Sequence, residues 1–199
     1  WLFMSNVLGT AAARLAGCPR IIASVRNLSL WKRTWYNAWW FRPADFFASR
    51  LPDVVTVNGR SLVADHARWA LYPQKRIVVV PNGLQPEQVL PATAEARMWV
   101  RAELGLAATT PVIGTVGRLA PEKDHAVFLQ IINQLRQDLP SIHALIVGDG
   151  ELRGSLERQA DELGLTDIVH FVGEHKESRR FIAGLDLFLL TSRIEGFPN

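Results

Sequence analysis

From residue 111 onward, short apolar runs alternate with longer segments whose apolar positions recur every three or four residues. PVIGTVG (111–117), HALIVGDG (143–150), DIVHFVG (167–173) and LDLFLLTS (185–192) predict four buried strands. HAVFLQIINQLRQDL (125–139), LRGSLERQADELGL (152–165) and SRRFIAGL (178–185) predict the helices between and beside them. In the first of these helices Val127, Ile131, Ile132 and Leu135 share the predicted buried face. The second closes on Gly164 in the manner of a helix C-cap. Continuous apolar strands alternating with amphipathic helices predict an α/β fold. Its parallel sheet is covered on both faces in a doubly wound, Rossmann-like domain. In such sheets ligands bind at the carboxyl ends of the strands.

The first half repeats the pattern less regularly. A helix over about 1–16 leads to RIIASVRN (20–27), then DVVTVN (53–58), a helix over 61–71 and RIVVVPNG (76–83). These segments predict the later part of a second α/β domain with parallel strands. GLQPEQVLPATA (83–94), with two prolines and no periodicity, is the expected connection. The expected domains are residues 1–88 and 89–199. The chain opens on Trp1 and stops at EGFPN, so both domains are expected to be incomplete and the chain to be an internal fragment.

Composition narrows the class. At 48% hydrophobic and 21% charged residues the chain matches soluble globular proteins. No apolar run reaches the length of a membrane span, and the opening stretch is interrupted by Ser5, Asn6 and Arg14. The single cysteine, Cys18, rules out an internal disulfide and fits a reducing, cytoplasmic compartment; it is expected to be a small buried residue. Residues 1–92 hold 11 Lys and Arg against 4 Asp and Glu, whereas residues 93–199 hold 11 against 15. The basic half suggests an anionic neighbour, and no motif favours nucleic acid.

The sharpest chemical signal is GRLAPEK (117–123). Arg118 and Lys123 leave the end of a predicted strand in a loop stiffened by Pro121. A planar guanidinium fork and a mobile ammonium at such a position suit an anion with several oxygens. The ordinary alternative is a pair of surface cations matched to Glu122 or Asp124. VGDGEL does not make a dinucleotide fingerprint, because Gly154 comes one position late and Asp149 and Glu151 repel a pyrophosphate; a tight turn needing glycine explains it better. Glu195 follows the fourth strand and precedes Gly196. A carboxylate there can accept hydrogen bonds from sugar hydroxyls.

VVPNG, VGRLAPEKD, LIVGDGELR, VHFVGE and FLLTSRIEGFPN occur in the order seen in family 4 glycosyltransferases, which the chain resembles closely from about residue 76 and loosely before it. The resemblance implies a GT-B fold, two Rossmann-like domains facing each other across a cleft. It implies sugar transfer from a nucleotide-diphosphate donor with retention of configuration, without a metal or other cofactor. Arg118 and Lys123, with Gly117, would hold the diphosphate, and Glu195 would contact the donor sugar. Gly196, Phe197, Pro198 and Asn199 would line the sugar–phosphate. The loop at Val172, Gly173 and His175 would hold the nucleobase, although a solvent-exposed loop histidine is the simpler reading of His175. The second glutamate of the family's pair falls beyond Asn199, and the family's N-terminal glycine-rich loop is absent from this sequence. The fragment alone is therefore expected to be inactive. No D-x-D sequence offers a metal bridge, and the five histidines form no pair at ligand spacing with a supporting carboxylate.

The acceptor is expected to be a glycan or a lipid-linked sugar, with Arg26 and Asn27 as acceptor-side candidates. Asn82 reads as a turn residue near the domain connection. SLWKRTWYNAWWFRPADFF (29–47) supports two readings. Trp31, Trp35 and Trp39 form one helical stripe, and with Lys32, Arg33 and Arg42 they would suit a peripheral contact with anionic lipid at the inner face of a membrane. Packing of the rings on the sheet is the favoured alternative. The rivals to glycosyl transfer are a sugar-nucleotide epimerase of the same fold and a non-catalytic nucleotide-sugar-binding module.

Overall fold

The structure is a computed structural model that describes residues 2–30, 32, 39–83, 85–86 and 89–195. The chain forms two compact units: Trp1–Gly83 with Ile194–Asn199, and Leu84–Arg193.

The first unit runs α1 (Leu2–Leu15), β1 (Ile22–Val25), α2 (Phe41–Ala48), β2 (Val54–Val57), α3 (Arg60–Ala70) and β3 (Ile77–Val79). The three strands are parallel in the order β1-β2-β3, with Ile22 opposite Val54 and Val55 opposite Ile77. Phe3 of α1, Phe41 of α2, Val55 and Val57 of β2, and Leu62 and Trp69 of α3 close on one core. Helix α1 ends where Gly17 takes φ +73° and the Cys18 amide donates back to Ala13. This turn leads the chain off the helix, so Cys18 is exposed and not buried as expected.

Polar groups are buried inside this unit. The Asp45 carboxylate accepts from Lys32 and from Trp69 Nε1 at 2.6 Å, and the Ser49 hydroxyl meets His66 Nε2 at 3.1 Å. Lys32 is only 7% exposed, and its ammonium sits 4.5 Å from the centre of the Phe3 ring. It is thus an interior cation and not a lipid-facing one. Burial pushes its pKa down despite the opposing pull of Asp45. Trp31, Arg33 and Trp35 lie outside the described residues.

The second unit runs α4 (Ala94–Glu103), β4 (Val112–Val116), α5 (His125–Asp138), β5 (His143–Val147), α6 (Arg153–Glu162), β6 (Val169–Gly173), α7 (Ser178–Gly184) and β7 (Leu187–Phe188). All four strands are parallel in the order β6-β5-β4-β7. The chain therefore winds outward from β4 and then returns to its other side, the doubly wound arrangement. Alternate strand residues face opposite layers, as the strand period of two requires. Ile113, Ala144, Ile146 and Val169 pack with α5 and α6, while Val112, Leu145 and Val147 pack with Val100 of α4 and Phe181 of α7.

Two expectations need correction here. The buried residues of α5 are His125, Phe128, Leu129 and Ile132; of the four predicted positions only Ile132 is fully buried. The face is rotated because Phe128, Leu129 and Ile132 join one core with the strands and with Leu156 and Ala160 of α6. The strand expected over 185–192 pairs with β4 only at Leu187 and Phe188. The Leu189 amide still donates to the Gly114 carbonyl at 2.9 Å, and from Thr191 the chain bonds the loop after β4. By contrast Gly164 caps α6 as expected: it takes φ +63°, its amide donates to Asp161, and the Leu165 amide donates to Ala160. No helix among the described residues is long and apolar enough to cross a membrane.

Candidate functional site

The carboxyl ends of β4, β5 and β6 are laced together by backbone hydrogen bonds. The Gly117 amide donates to Val147 at 2.9 Å, Gly148 to Gly173 at 2.7 Å, and Leu119 to Asp149 at 2.9 Å. The lacing leaves no room for a side chain at Gly148. A Cβ there would stand 1.9 Å from the Gly117 carbonyl oxygen, and the residue adopts φ +143°.

A cavity of about 360 Å³ opens at these strand ends. Val116, Gly117 and Arg118 line it from β4, Val147, Gly148 and Asp149 from β5, and Glu174, His175 and Ser178 from the turn into α7. Its position fits the rule for ligands in doubly wound sheets. The Asp149 carboxylate is satisfied within its own turn, accepting from the Gly150 amide at 2.7 Å and from Arg153 at 3.0 Å. These bonds, the backbone one first, hold its pKa below the usual carboxylate value. Hydrogen bonding to Glu157 and Asp149 in turn raises the pKa of Arg153.

Arg118 is the cation of the cavity wall. Its side chain is 70% exposed and pairs with Glu122, one of the two partners foreseen for a surface cation. Asp124, the other, pairs with Arg193. The stem of Lys123 lies over Gly117, so a Cβ there would meet Lys123 Cδ at 3.8 Å. Gly117, Arg118 and Lys123 are thus gathered at the end of β4. The next residue after the Lys123 loop, His125, is 2% exposed, and burial, then the Lys123 charge, lower its pKa.

His175 is half-buried, which corrects its reading as a solvent-exposed loop histidine. Its ring meets Phe181 edge-on at 5.0 Å, and its Nδ1 accepts from the Glu177 amide at 3.1 Å. That bond leaves the neutral ring's proton on Nε2. Val172 and Gly173 end β6 rather than forming a loop, and Val172 packs toward the core. Glu195 is half-buried and falls with the other compact unit. Gly196, Phe197, Pro198 and Asn199 lie outside the described residues. Among the acceptor-side candidates, Arg26 donates to Asn82 at 2.7 Å, so Asn82 bridges two strand ends, and Asn27 is exposed.

The sequence reading missed Glu174 and Ser178, and it took Gly148 and Asp149 as parts of a turn and not of the cavity wall. The glycines of VGDG were the available signal, since a glycine-bound turn at a strand end marks close backbone approach. The structure also brings two histidines together, His143 Nδ1 and His170 Nε2 at 3.0 Å. They lie at or near the beginnings of β5 and β6, away from the cavity. Among the described residues no three metal-ligating side chains converge.

Residues 99–199, which include these strand ends, match the model of a family described as glycosyl transferases group 1. The chain belongs to that family. It is 26% identical over its whole length to the Vi polysaccharide biosynthesis protein VipC/TviE of Salmonella typhi, covering 35% of that protein. It is 31% identical over 94% of its length to the putative glycosyltransferase EpsF of Bacillus subtilis, covering 49% of it. The fold matches Anabaena Alr3699/HepE, solved with UDP and with UDP-glucose. For the UDP-glucose complex the TM-score is 0.79 at 21% identity, over 96% of this chain and 51% of that one. The chain thus spans about half or less of the length of these relatives. Within the group 1 transferases, the matched segment 99–199 contains every residue that lines the cavity.

Proposed function

We propose that the protein of which this chain forms part transfers a sugar from a nucleotide-diphosphate donor to a glycan or lipid-linked acceptor, with retention of configuration. The observation that carries this reading is the cavity at the ends of β4, β5 and β6, with Arg118 in its wall and Lys123 lying over Gly117. As the sugar–phosphate bond breaks, negative charge grows on the leaving diphosphate. Two cations already held at a strand end stabilise that charge more than they stabilise the ground state. They take the electrostatic part that a divalent metal plays elsewhere, so no metal is required. His175 Nε2, Gly173 and Val172 form the nucleobase end of the site. Glu195, with the residues that follow it, serves the sugar end. The names of HepE's ligands and of the polysaccharide protein support a UDP-sugar donor and a glycan product.

The test is calorimetry of this chain with UDP, GDP and ADP, with Arg118→Ala alongside. One diphosphate is expected to bind. Arg118→Ala should weaken it by about 1.5–3 kcal/mol, the scale of hydrogen bonds to charged groups. A folded chain that binds none of the three, or binds without needing Arg118, overturns the diphosphate assignment.

A peripheral contact with anionic lipid within 29–47 belongs to the same proposal, narrowed by the burial of Lys32. Trp39 is 85% exposed and Phe47 67% exposed, beside the exposed Arg42. Co-sedimentation with phosphatidylserine vesicles should fall when Trp39 and Phe47 become alanine. Absence of binding to such vesicles sinks the membrane contact and leaves the donor site standing.

A further inference from the structure

We infer that Arg193 is a positioning residue for the diphosphate site, strapping the segment that leaves β7 onto the loop that carries Lys123. The inference rests on the donor reading above and adds to it a residue outside the cavity wall.

Three consecutive residues of the loop are engaged by two residues of the strap. The Arg193 amide donates to the Glu122 carbonyl at 2.9 Å, the Thr191 hydroxyl donates to the Lys123 carbonyl at 3.1 Å, and Arg193 Nε donates to the Asp124 carboxylate. Lys123, one of the two cations of the site, belongs to this stretch and lies against Gly117. Fixing the backbone of residues 122–124 therefore fixes where its positive charge stands.

The strap also holds conformations that the loop would not choose alone. Asp124 takes φ +49°, a left-handed backbone that favours glycine. It occupies the N-cap position of α5, yet its carboxylate does not cap the helix and turns to Arg193 instead. Within the strap the Ser192 hydroxyl is buried and finds no hydrogen-bond partner among the described residues. Two local costs in one place persist only where surrounding contacts over-determine the geometry. The Arg193 side chain is itself 68% exposed, so its ion pair adds little to global stability. Its effect is expected on the placement of the loop and not on whether the unit folds.

A nucleoside diphosphate and the corresponding monophosphate share base and ribose and differ in the phosphate that the two cations reach. UDP and UMP binding to this chain therefore separate positioning from general integrity. Arg193→Ala should weaken UDP by about five- to tenfold while moving UMP by less than about twofold, with an unchanged thermal midpoint. Asp124→Gly keeps the left-handed backbone at no steric cost and removes the carboxylate, so it should reproduce the UDP loss. The double variant should be no weaker than Arg193→Ala alone. Should Arg193→Ala lower the thermal midpoint, Asp124→Gly decides. Equal losses for UDP and UMP, or no loss for either, overturn the strap while UDP binding by the unaltered chain keeps the donor reading. If the unaltered chain binds no diphosphate, both readings fall together.

Discussion

The two units solve opposite problems with polar groups. In Trp1–Gly83 they are driven inside: Thr10, Ser29, Lys32, Asp45, Ser49, Asn58 and His66 are all buried. In Leu84–Arg193 the core is built mainly from aliphatic side chains, and among the described residues only Arg101, Thr115 and His125 are buried polar groups. Arg101 pairs with Asp186 near the start of β4, and the polar groups of the cavity sit at the strand ends, around a space shaped by backbone. The first unit is therefore specified by side-chain partners, which can be exchanged in pairs. The second is specified at its site by close approach of main chain, which admits no exchange.

The sharpest break of that contrast is Gly148→Ala. The new Cβ would meet the Gly117 carbonyl at 1.9 Å, in a backbone conformation that side chains rarely adopt. Separating the strand ends would sacrifice the bonds from Gly117 to Val147 and from Leu119 to Asp149. The expected cost exceeds about 4 kcal/mol, in the class of severe single substitutions. Trp99 is the only tryptophan between residues 84 and 193, so its indole NMR resonance, resolved from those of the other six tryptophans, reports this unit during urea unfolding. An unchanged unfolding curve would show that the lacing is dispensable.

The corresponding test of the first unit is reversible by design. Asp45→Ala removes the buried carboxylate that Lys32 and Trp69 Nε1 share. Removing one partner of a buried pair costs about 3–5 kcal/mol. Asp45→Leu combined with Lys32→Met removes both charges and should recover much of that loss, leaving about 1–3 kcal/mol for the hydrogen bond that Trp69 Nε1 gives to Asp45. A double variant as unstable as Asp45→Ala would mean that the network does more than satisfy its own charges.

The same contrast explains what could be read from sequence. The alternation of strands and helices in the second unit, the cap at Gly164 and the tight turn at Gly148 were legible, because apolar period and glycine carry local geometry directly. The α5 face was misread because the 3.6-residue period allows neighbouring stripes. Phe128 and Leu129 win by filling volume against α6, a fact about the partner helix. The fourth strand was overextended because apolar LDLFLLTS says nothing of where ladder pairing stops; residues 191 and 193 instead bond the loop at 122–124. Lys32 looked like a surface cation because its partners, Asp45 and the Phe3 ring, lie 13 and 29 positions away in the chain. Arg118 and Lys123 were identified as a pair, but the carboxylate already holding Arg118 was visible only as one of two alternatives.

That carboxylate supplies the subtlest prediction. Glu122 and Asp45 are both carboxylates paired with a cation, Glu122 with an exposed one and Asp45 with a buried one. Asp45 is buried with Lys32, and its loss removes a buried ion pair. Glu122 faces a guanidinium that is 70% exposed, where water readily takes over its role. A donor diphosphate must compete with Glu122 for Arg118, so Glu122→Gln should tighten UDP binding by about two- to fivefold, the worth of an exposed pair. The amide keeps the side chain's shape, and UMP should respond less than UDP. Added salt should shrink the difference, since screening acts on the competing charges. If Glu122→Gln instead weakens UDP, the carboxylate orients Arg118 for the ligand and does not compete with it. The two units would then be alike in using a carboxylate to hold a cation in place.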